Sequence, residues 1–430
     1  MSKRRFWPLG SAALSLAALG LAALPFAARA QDKAPGTPVA AAGSSVPGWG
    51  EFVESLRTLP DRMLAKLPEA QRRDPQVQQE VARLALEAVA SQSLSAIGQD
   101  GDAPQFLPSI GQVLNIGQPN ADTIYRSAAI TPGGSYRVRG QRGTLNHTVL
   151  AQMVPGQKGG PREHKHLSTL KVDRKGRFDL LISPEKPAGY KGDWWQLDPA
   201  AAMLMLRMVS SDWANEKSPT LAIERVDKPA GRPRPPAGVL EQRLRGLPRM
   251  VDFLALMFVD HHEQLRKEGF INAFKVFEVG PGALAGQFYY EGAYDFAEDE
   301  ALVIESPIPA KCQYRSLILT NEIYETTDWY NNHSSLNIDQ AAPDSDGKLR
   351  IVVAHRDPGV KNWLDTAGHP RGVVQGRWTD CDSQPMPVAK VVKLADLAKA
   401  LPADVARVSP AERQEIMRER RRAYLERPHW

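Results

Sequence analysis

From Thr123 to Trp378 the chain breaks into short apolar runs: "TIYRSAAI", "SYRVRGQ", "LNHTVLAQMV", "STLKV", "RFDLLIS", "MLMLRMV", "LAIERV", "QFYYEGAYDF", "ALVIESP", "YRSLILTNEI", "KLRIVVA" and "RGVVQGRW". Each is bounded by Gly, Pro, Asp or Asn. Several alternate apolar with polar residues, the period of a half-buried strand, and their close spacing is that of a sandwich or jelly roll. Lys175-Gly176 marks a hairpin turn, and "KLRIVVA" and "GVVQGRW" read as partner strands. Before this region the period is helical. Phe52, Leu56 and Leu59 share a face, and Asp74 caps a helix with Pro75 at its first position and a Val77, Val81, Leu84 stripe. A central helical stretch, "RMVDFLALMFVDHHEQLRKEG", and a C-terminal helix opened by the capping box Ser409-Pro410-Ala411-Glu412 follow. The basic run "RERRRAYLER" reads as a solvated helix face. The expected fold is mainly β, α+β overall: two β-sandwich or jelly-roll-like halves with N-terminal, central and C-terminal helices.

Residues 1–30 join Lys3, Arg4 and Arg5 to an Ala/Leu-rich run and end on Ala28-Arg29-Ala30. Basic start, short apolar middle and small-residue end make a secretory signal peptide. The paired arginines suggest the twin-arginine route, although Trp7 and Pro8 depart from its usual pattern. The expected location is the periplasm or outside the cell. Residues 1–30 carry +4 of the formal net charge of +5, so the apparent basicity does not point to nucleic acid. No later apolar run is long enough to span a bilayer, and a soluble mature chain is expected. Residues 31–48 read as a flexible Pro/Gly/Ala/Ser tether. The mature chain of about four hundred residues exceeds one ordinary core. The expected division is 49–226 (helices and first β domain), a Pro-rich linker at 227–238, and 239–430 (second β domain with central and C-terminal helices). The two cysteines, Cys312 and Cys381, are expected to pair in an oxidising compartment; the alternative is two buried thiols.

Complete catalytic signatures are missing. His262-Glu263 begins a zinc-protease pattern, but Arg266 stands where its second histidine belongs. Residues 280–286, "GPGALAG", do not match the dinucleotide fingerprint and read as loop. His164 and His166, two apart, would point the same way on a strand, as jelly-roll metal ligands do. The companion carboxylate position is Leu170, so a metal there is not expected and no cofactor is predicted. Two polar clusters remain. Asn120, Asp122, Tyr125 and Arg126 gather at a strand entry, where Asx turns are common. There Tyr125 or Asp122 can move a proton, and Asn120 and Arg126 can hold a substrate. The second cluster is "AHRDPGVKNWLDTAGH", residues 354–369. His355 with Asp357 and Asp365 offers an acid–base set, Trp363 a flat apolar face, and Arg356, Arg371 and Arg377 anion contacts. Asp357-Pro358-Gly359 and Asp365-Thr366-Ala367-Gly368 also read as turns, so both aspartates have structural work available. Trp194, Trp195, Trp329 and Trp378 can share a groove with Trp363 or pack in cores.

"PNADTIYRSAAI…GSYRVRGQRGT", "DWANEKSPTLAIERV", "DEALVIESPIP" and "SLNIDQAAPDSDGKLRIVVAHRDPGVKNWLDTAGHPRGVVQGRW" resemble the bacterial family called domain of unknown function 1214, often paired with domain of unknown function 1254. The resemblance covers roughly residues 110–385. It implies a jelly-roll-like β-sandwich and brings no reaction or cofactor. Two functional expectations stand. One is an exported binding or accessory protein that holds a glycan, lipid or other small molecule in an aromatic groove. The other is a cofactor-independent hydrolase, lyase or isomerase at residues 355–365.

Overall fold

The computed structural model describes residues 45–145, 147–157, 162–278 and 286–429. The signal segment 1–30, most of the 31–48 tether and nearly all of the 280–286 stretch lie outside the described residues. The fold is mainly β, with four sheets in two pairs and helices around them.

In the N-terminal half an inner antiparallel sheet runs 107–108, 123–129, 203–209, 147–153, 164–166. An outer sheet runs 193–196, 177–183, 136–141, 220–225. Strict alternation divides each strand's work. In "MLMLRMV", Leu204, Leu206 and Met208 enter the core between the two sheets, with Tyr136, Val138, Leu150, Leu180 and Ile182. Met203, Met205, Arg207 and Val209 therefore face the other way. The C-terminal half repeats the plan. Its inner sheet runs 275–276, 287–295, 371–381, 312–319, 335–337, and its outer sheet 363–365, 348–354, 300–307, 388–393. Val374 and Trp378 pack inward with Tyr290, Tyr294, Ile304 and Ile351, which turns Val373, Gln375 and Arg377 to the opposite face. Gly376 is required at its position, because a Cβ there would lie 2.1 Å from the Tyr290 ring.

The helices tie the halves together. Trp49–Leu64, Pro75–Gly98 and Ala237–Leu256 share one core that also takes in Ile116 and Ile323. Asp74 caps its helix by accepting from Gln76 N at 2.8 Å, and Arg62 holds Asp252 with two bonds of 2.6 and 2.7 Å. The Pro-rich stretch lies between the 220–225 strand and the Ala237–Leu256 helix. The C-terminal helix Pro410–Leu425, with its capping box formed, packs Ala423 and Tyr424 against Ala121, Trp213, Ile318 and Trp329, residues of both halves. Among the described residues no helix is long and apolar enough to cross a membrane.

Three local expectations change. "KLRIVVA" and "GVVQGRW" are not partners. The first pairs with 300–307 and 363–365 in the outer sheet, the second with 287–295 and 312–319 in the inner one. Alternation shows that a strand has a buried face but not which sheet holds it. The intervening stretch therefore crosses between layers and carries its own short strand, Trp363–Asp365. "STLKV" forms a short 3₁₀ turn at 167–169 and then loop, so Lys175-Gly176 leads into a strand without a hairpin arm before it. The basic C-terminal run is only partly solvated. Arg420 donates to Trp329 O at 2.6 Å, and Arg427 donates to Asp122 O at 2.7 Å. Buried carbonyls need donors, and these guanidiniums supply them. Cys312 and Cys381 are register partners on adjacent strands and form a disulfide.

Candidate functional site

The two inner sheets turn their second faces toward one cavity. Register sets its walls. Tyr125 sits opposite Arg207 in the N-terminal inner sheet, and Tyr289 opposite Arg377 in the C-terminal one. These four line the cavity with Asn120, Gln118, Tyr314, Tyr324, Gln375 and the apolar Ile110, Met205 and Phe258. The cavity volume is about 80 Å³.

Arg377 is buried and stacks over the Tyr289 ring at 5.1 Å. It donates to Gln375 Oε1 at 3.0 Å, and its Nε makes no hydrogen bond. Gln375 donates to the Tyr324 hydroxyl at 3.0 Å. Tyr324 in turn donates to Glu291 at 3.2 Å, and His261 meets the same carboxylate at 2.8 Å. This chain fixes Gln375 and so the tilt of the guanidinium. Two lining residues, Gln118 and Tyr324, hold left-handed backbone conformations with φ of 58° and 70°. Non-glycine residues take that region at a cost, and such positions cluster at functional sites. Burial pushes the Tyr289 phenol upward, and those of Tyr314 and Tyr324 well above the ordinary value. All three are neutral hydroxyls at physiological pH.

The predicted 120–126 cluster divides. Asn120 and Tyr125 line the cavity, with Asn120 N donating to the Tyr125 oxygen at 3.2 Å. Asp122 stands behind the wall as a clamp between the halves. Its Oδ1 accepts from Trp213 Nε1 and Asn337 Nδ2, both at 2.8 Å, and its Oδ2 accepts from the Tyr314 hydroxyl at 2.5 Å. Burial raises its pKa. Arg126 reaches away to Pro428 O at 2.9 Å.

The 354–369 stretch does not meet the cavity. His355 is bonded to Thr366 Oγ1 at 2.9 Å and Phe296 O at 3.2 Å. Asp357 accepts from Gly359 N at 2.8 Å and pairs with Arg413 at 2.9 Å. Asp365 closes its turn on Ala367 N at 2.9 Å. Trp363 is buried, donates to Ala354 O at 3.1 Å, and packs against a parallel His333 ring and the Arg413 guanidinium. Arg356 is on the surface with Glu298, and Arg371 is 3.6 Å from Glu322. The tryptophans do not share a groove: Trp195, Trp378, Trp329 and Trp363 belong to four separate cores.

Of the residues singled out from sequence, the cavity thus collects Asn120, Tyr125 and Arg377. Gln118, Arg207, Tyr289, Tyr314, Tyr324 and Gln375 were missed. The signal for Arg207 and Gln375 was present: a charge or amide inside an otherwise apolar strand, "MLMLRMV" or "GVVQGRW", is costly unless its face meets something polar. Among the described residues no group of three or more His, Cys, Asp and Glu side chains is arranged to hold a metal ion.

The fold and cavity define a two-sandwich α+β protein with a small cavity between its inner sheets. A crystal structure of an uncharacterized protein from Burkholderia cenocepacia is similar over 81% of this chain and 97% of its own, at 27% identity and TM-score 0.73. A Vibrio parahaemolyticus protein covers 73% of this chain and 99% of its own, at 13% identity and TM-score 0.42. No protein-family model matches the chain, and no curated protein does.

Proposed function

We propose that the protein is an exported binding protein that takes a small carboxylate into the cavity between its two halves. The observation that carries this is Arg377: a buried guanidinium lining a tyrosine-walled cavity, with Nε left unbonded. A carboxylate there would accept from Arg377 and from the Tyr125 hydroxyl, while Tyr289 and Met205 cover its apolar part. Charge-assisted bonds of this kind strengthen when water is excluded. The volume supports a small ligand. An engineered cavity of ~150 Å³ takes benzene, and about half that space suits a few heavy atoms rather than a sugar ring or acyl chain. Export is supported by the 1–30 pattern and fits the Cys312–Cys381 disulfide. The hydrolase, lyase or isomerase reading at 355–365 gains no support from side chains that turn to structural partners away from the cavity.

Calorimetry of the mature protein with acetate, lactate and their neutral amides tests the proposal. Carboxylates should bind and amides should not, and Arg377→Met and Tyr125→Phe should each weaken binding. Equal binding of acid and amide, or unchanged binding by folded Arg377→Met, would overturn it.

A further inference from the structure

A second space lies outside the carboxylate cavity, where the helices Pro75–Gly98 and Ala237–Leu256 meet the end of the N-terminal inner sheet. It is an open groove of about 680 Å³, the size of a small-molecule pocket (~300–1,000 Å³). The two spaces share no lining residue. Register sets them apart. Tyr125 of the cavity pairs with Arg207, and Ala129 of the groove pairs with Met203, four residues along the same strand. At the rise of a strand that is ~13 Å.

One helix face makes the first wall. Val239, Arg243, Gly246, Leu247 and Met250 recur at three- and four-residue steps and all line the groove. Gly246 decides its shape. A glycine inside a helix weakens it, and usually marks a left-handed backbone or a close approach. Gly246 has neither use: its φ is not left-handed, and a Cβ there would meet nothing within 4 Å. What the missing side chain leaves is open groove. The facing wall is Ala96, Ala129, Ala202 and Met203, small or flexible and apolar. Gln99 locks that wall. Its Oε1 accepts from Ala129 N at 2.6 Å, and its Nε2 donates to Ser127 O at 2.9 Å.

The polar groups of the groove point to an anion. Gln92 lines it, is 4% exposed, and has no hydrogen-bond partner for its Nε2. A buried donor is costly to leave unmet. One turn further along the helix, Ala96 O accepts from Arg243 Nη1 at 3.4 Å, so Arg243 and Gln92 approach the same stretch of the groove. Arg243 meets no carboxylate, and the exposed Arg249 side chain makes no hydrogen bond or ion pair among the described residues. The acids at the rim are already matched: Asp100 with Arg232 at 3.2 Å, and Asp102 with Lys228 at 2.8 Å and with Arg225. The free charge is therefore positive, and it borders an apolar slot. From this arrangement we infer that the groove binds a single-chain fatty acid. Its carboxylate accepts from Gln92 and Arg243, with Arg249 adding to the positive field. Its acyl chain lies over Gly246 against Ala129, Met203 and Met250. Charge-assisted bonds hold the head, and burial of methylenes holds the tail. The inference goes beyond the proposed function, whose cavity of about 80 Å³ does not admit an acyl chain.

Calorimetry of the mature protein with octanoate, decanoate, decanol and decyltrimethylammonium tests it, with acetate as the probe of the Arg377 cavity. Decanoate should bind about ten-fold more tightly than octanoate, the worth of two buried methylenes. Decanol and decyltrimethylammonium should bind at least about ten-fold more weakly than decanoate, since neither answers the guanidinium. Arg243→Met should bring decanoate down to the level of decanol. Gly246→Phe should fill the slot and abolish decanoate binding, while Gly246→Ala, the folding control, should melt above the wild type. Arg243→Met leaves the helix packing alone and decides the matter should Gly246→Phe fail to fold. Acetate binding should be unchanged in all three variants, and its absence from the wild type counts against the cavity and not the groove. Failure of the wild type to bind decanoate, or equal binding of acid, alcohol and ammonium, sinks the inference. So does decanoate binding that survives in folded Gly246→Phe, or that is lost in Arg377→Met and kept in Arg243→Met.

Discussion

Asp122 offers the sharpest test of how the halves are held. Its carboxylate accepts three buried bonds, from Trp213 of the N-terminal half and from Tyr314 and Asn337 of the C-terminal half. Asp122→Ala leaves the Trp213 and Tyr314 donors without an acceptor and removes one of two bonds from the Asn337 amide, which keeps Ser211 O. At ~1–3 kcal/mol for each stranded buried group, with partial relaxation, the loss is about 3–6 kcal/mol. That is a large share of the ~5–15 kcal/mol that stabilises a typical domain. Asp122→Asn behaves differently. Its carbonyl can still accept from Trp213 and Asn337, and its amide can donate to the Tyr314 oxygen, whose proton then turns elsewhere. Burial already disfavours the charged carboxylate, so the neutral amide should cost only about 1 kcal/mol. Urea unfolding of wild type, Asp122→Asn and Asp122→Ala, followed by tryptophan fluorescence, measures the series. A loss under about 1 kcal/mol for the alanine variant, or equal losses for both, would refute the clamp.

Other expectations concern pH, the disulfide and the 354–369 stretch. Burial, and then the neighbouring Glu325 charge, push Glu87 from 4.5 up to about 8. The folded state therefore binds the extra proton between those values, and stability should fall as pH rises from about 4.5 through 8. Glu87→Gln should flatten that decline in denaturant midpoints measured against pH; an unchanged slope rejects the assignment. The Cys312–Cys381 bridge closes a loop of sequence separation 69, worth about 4 kcal/mol by loop entropy. Unfolding with and without reductant reads this, and coincident curves count against it. Asp357→Ala should cost about 2 kcal/mol, since the buried Arg413 loses its partner while keeping its bond to Val360 O. Acetate binding should be untouched; a loss of binding in a folded Asp357→Ala would restore a functional role to that loop.

Much of the local structure was legible. Asp74 and Ser409 cap helices because their side-chain oxygens reach backbone N–H groups two or three residues on, an interaction contained within a few residues of chain. Asp357 and Asp365 close their own turns for the same reason. The site was legible only in fragments. Asn120, Tyr125 and Arg377 stood out as polar groups near strand ends or inside apolar strands. Trp363 drew attention by chemistry that its core position then absorbed.

What the sequence determines alone is therefore the short-range part: strand alternation, helix caps, turns, and which residues of a strand share a face. Tertiary structure decides which sheet a strand joins and which face meets which. That choice sends "KLRIVVA" and "GVVQGRW" to different layers and brings Tyr125 and Arg377 to one cavity across the two halves. The physical reason is range. Periodicity and capping depend on atoms a few residues apart, whereas pairing depends on packing between segments far apart in the chain. A period of two names two faces equally well, and only the packed sheets say which one is core and which is site.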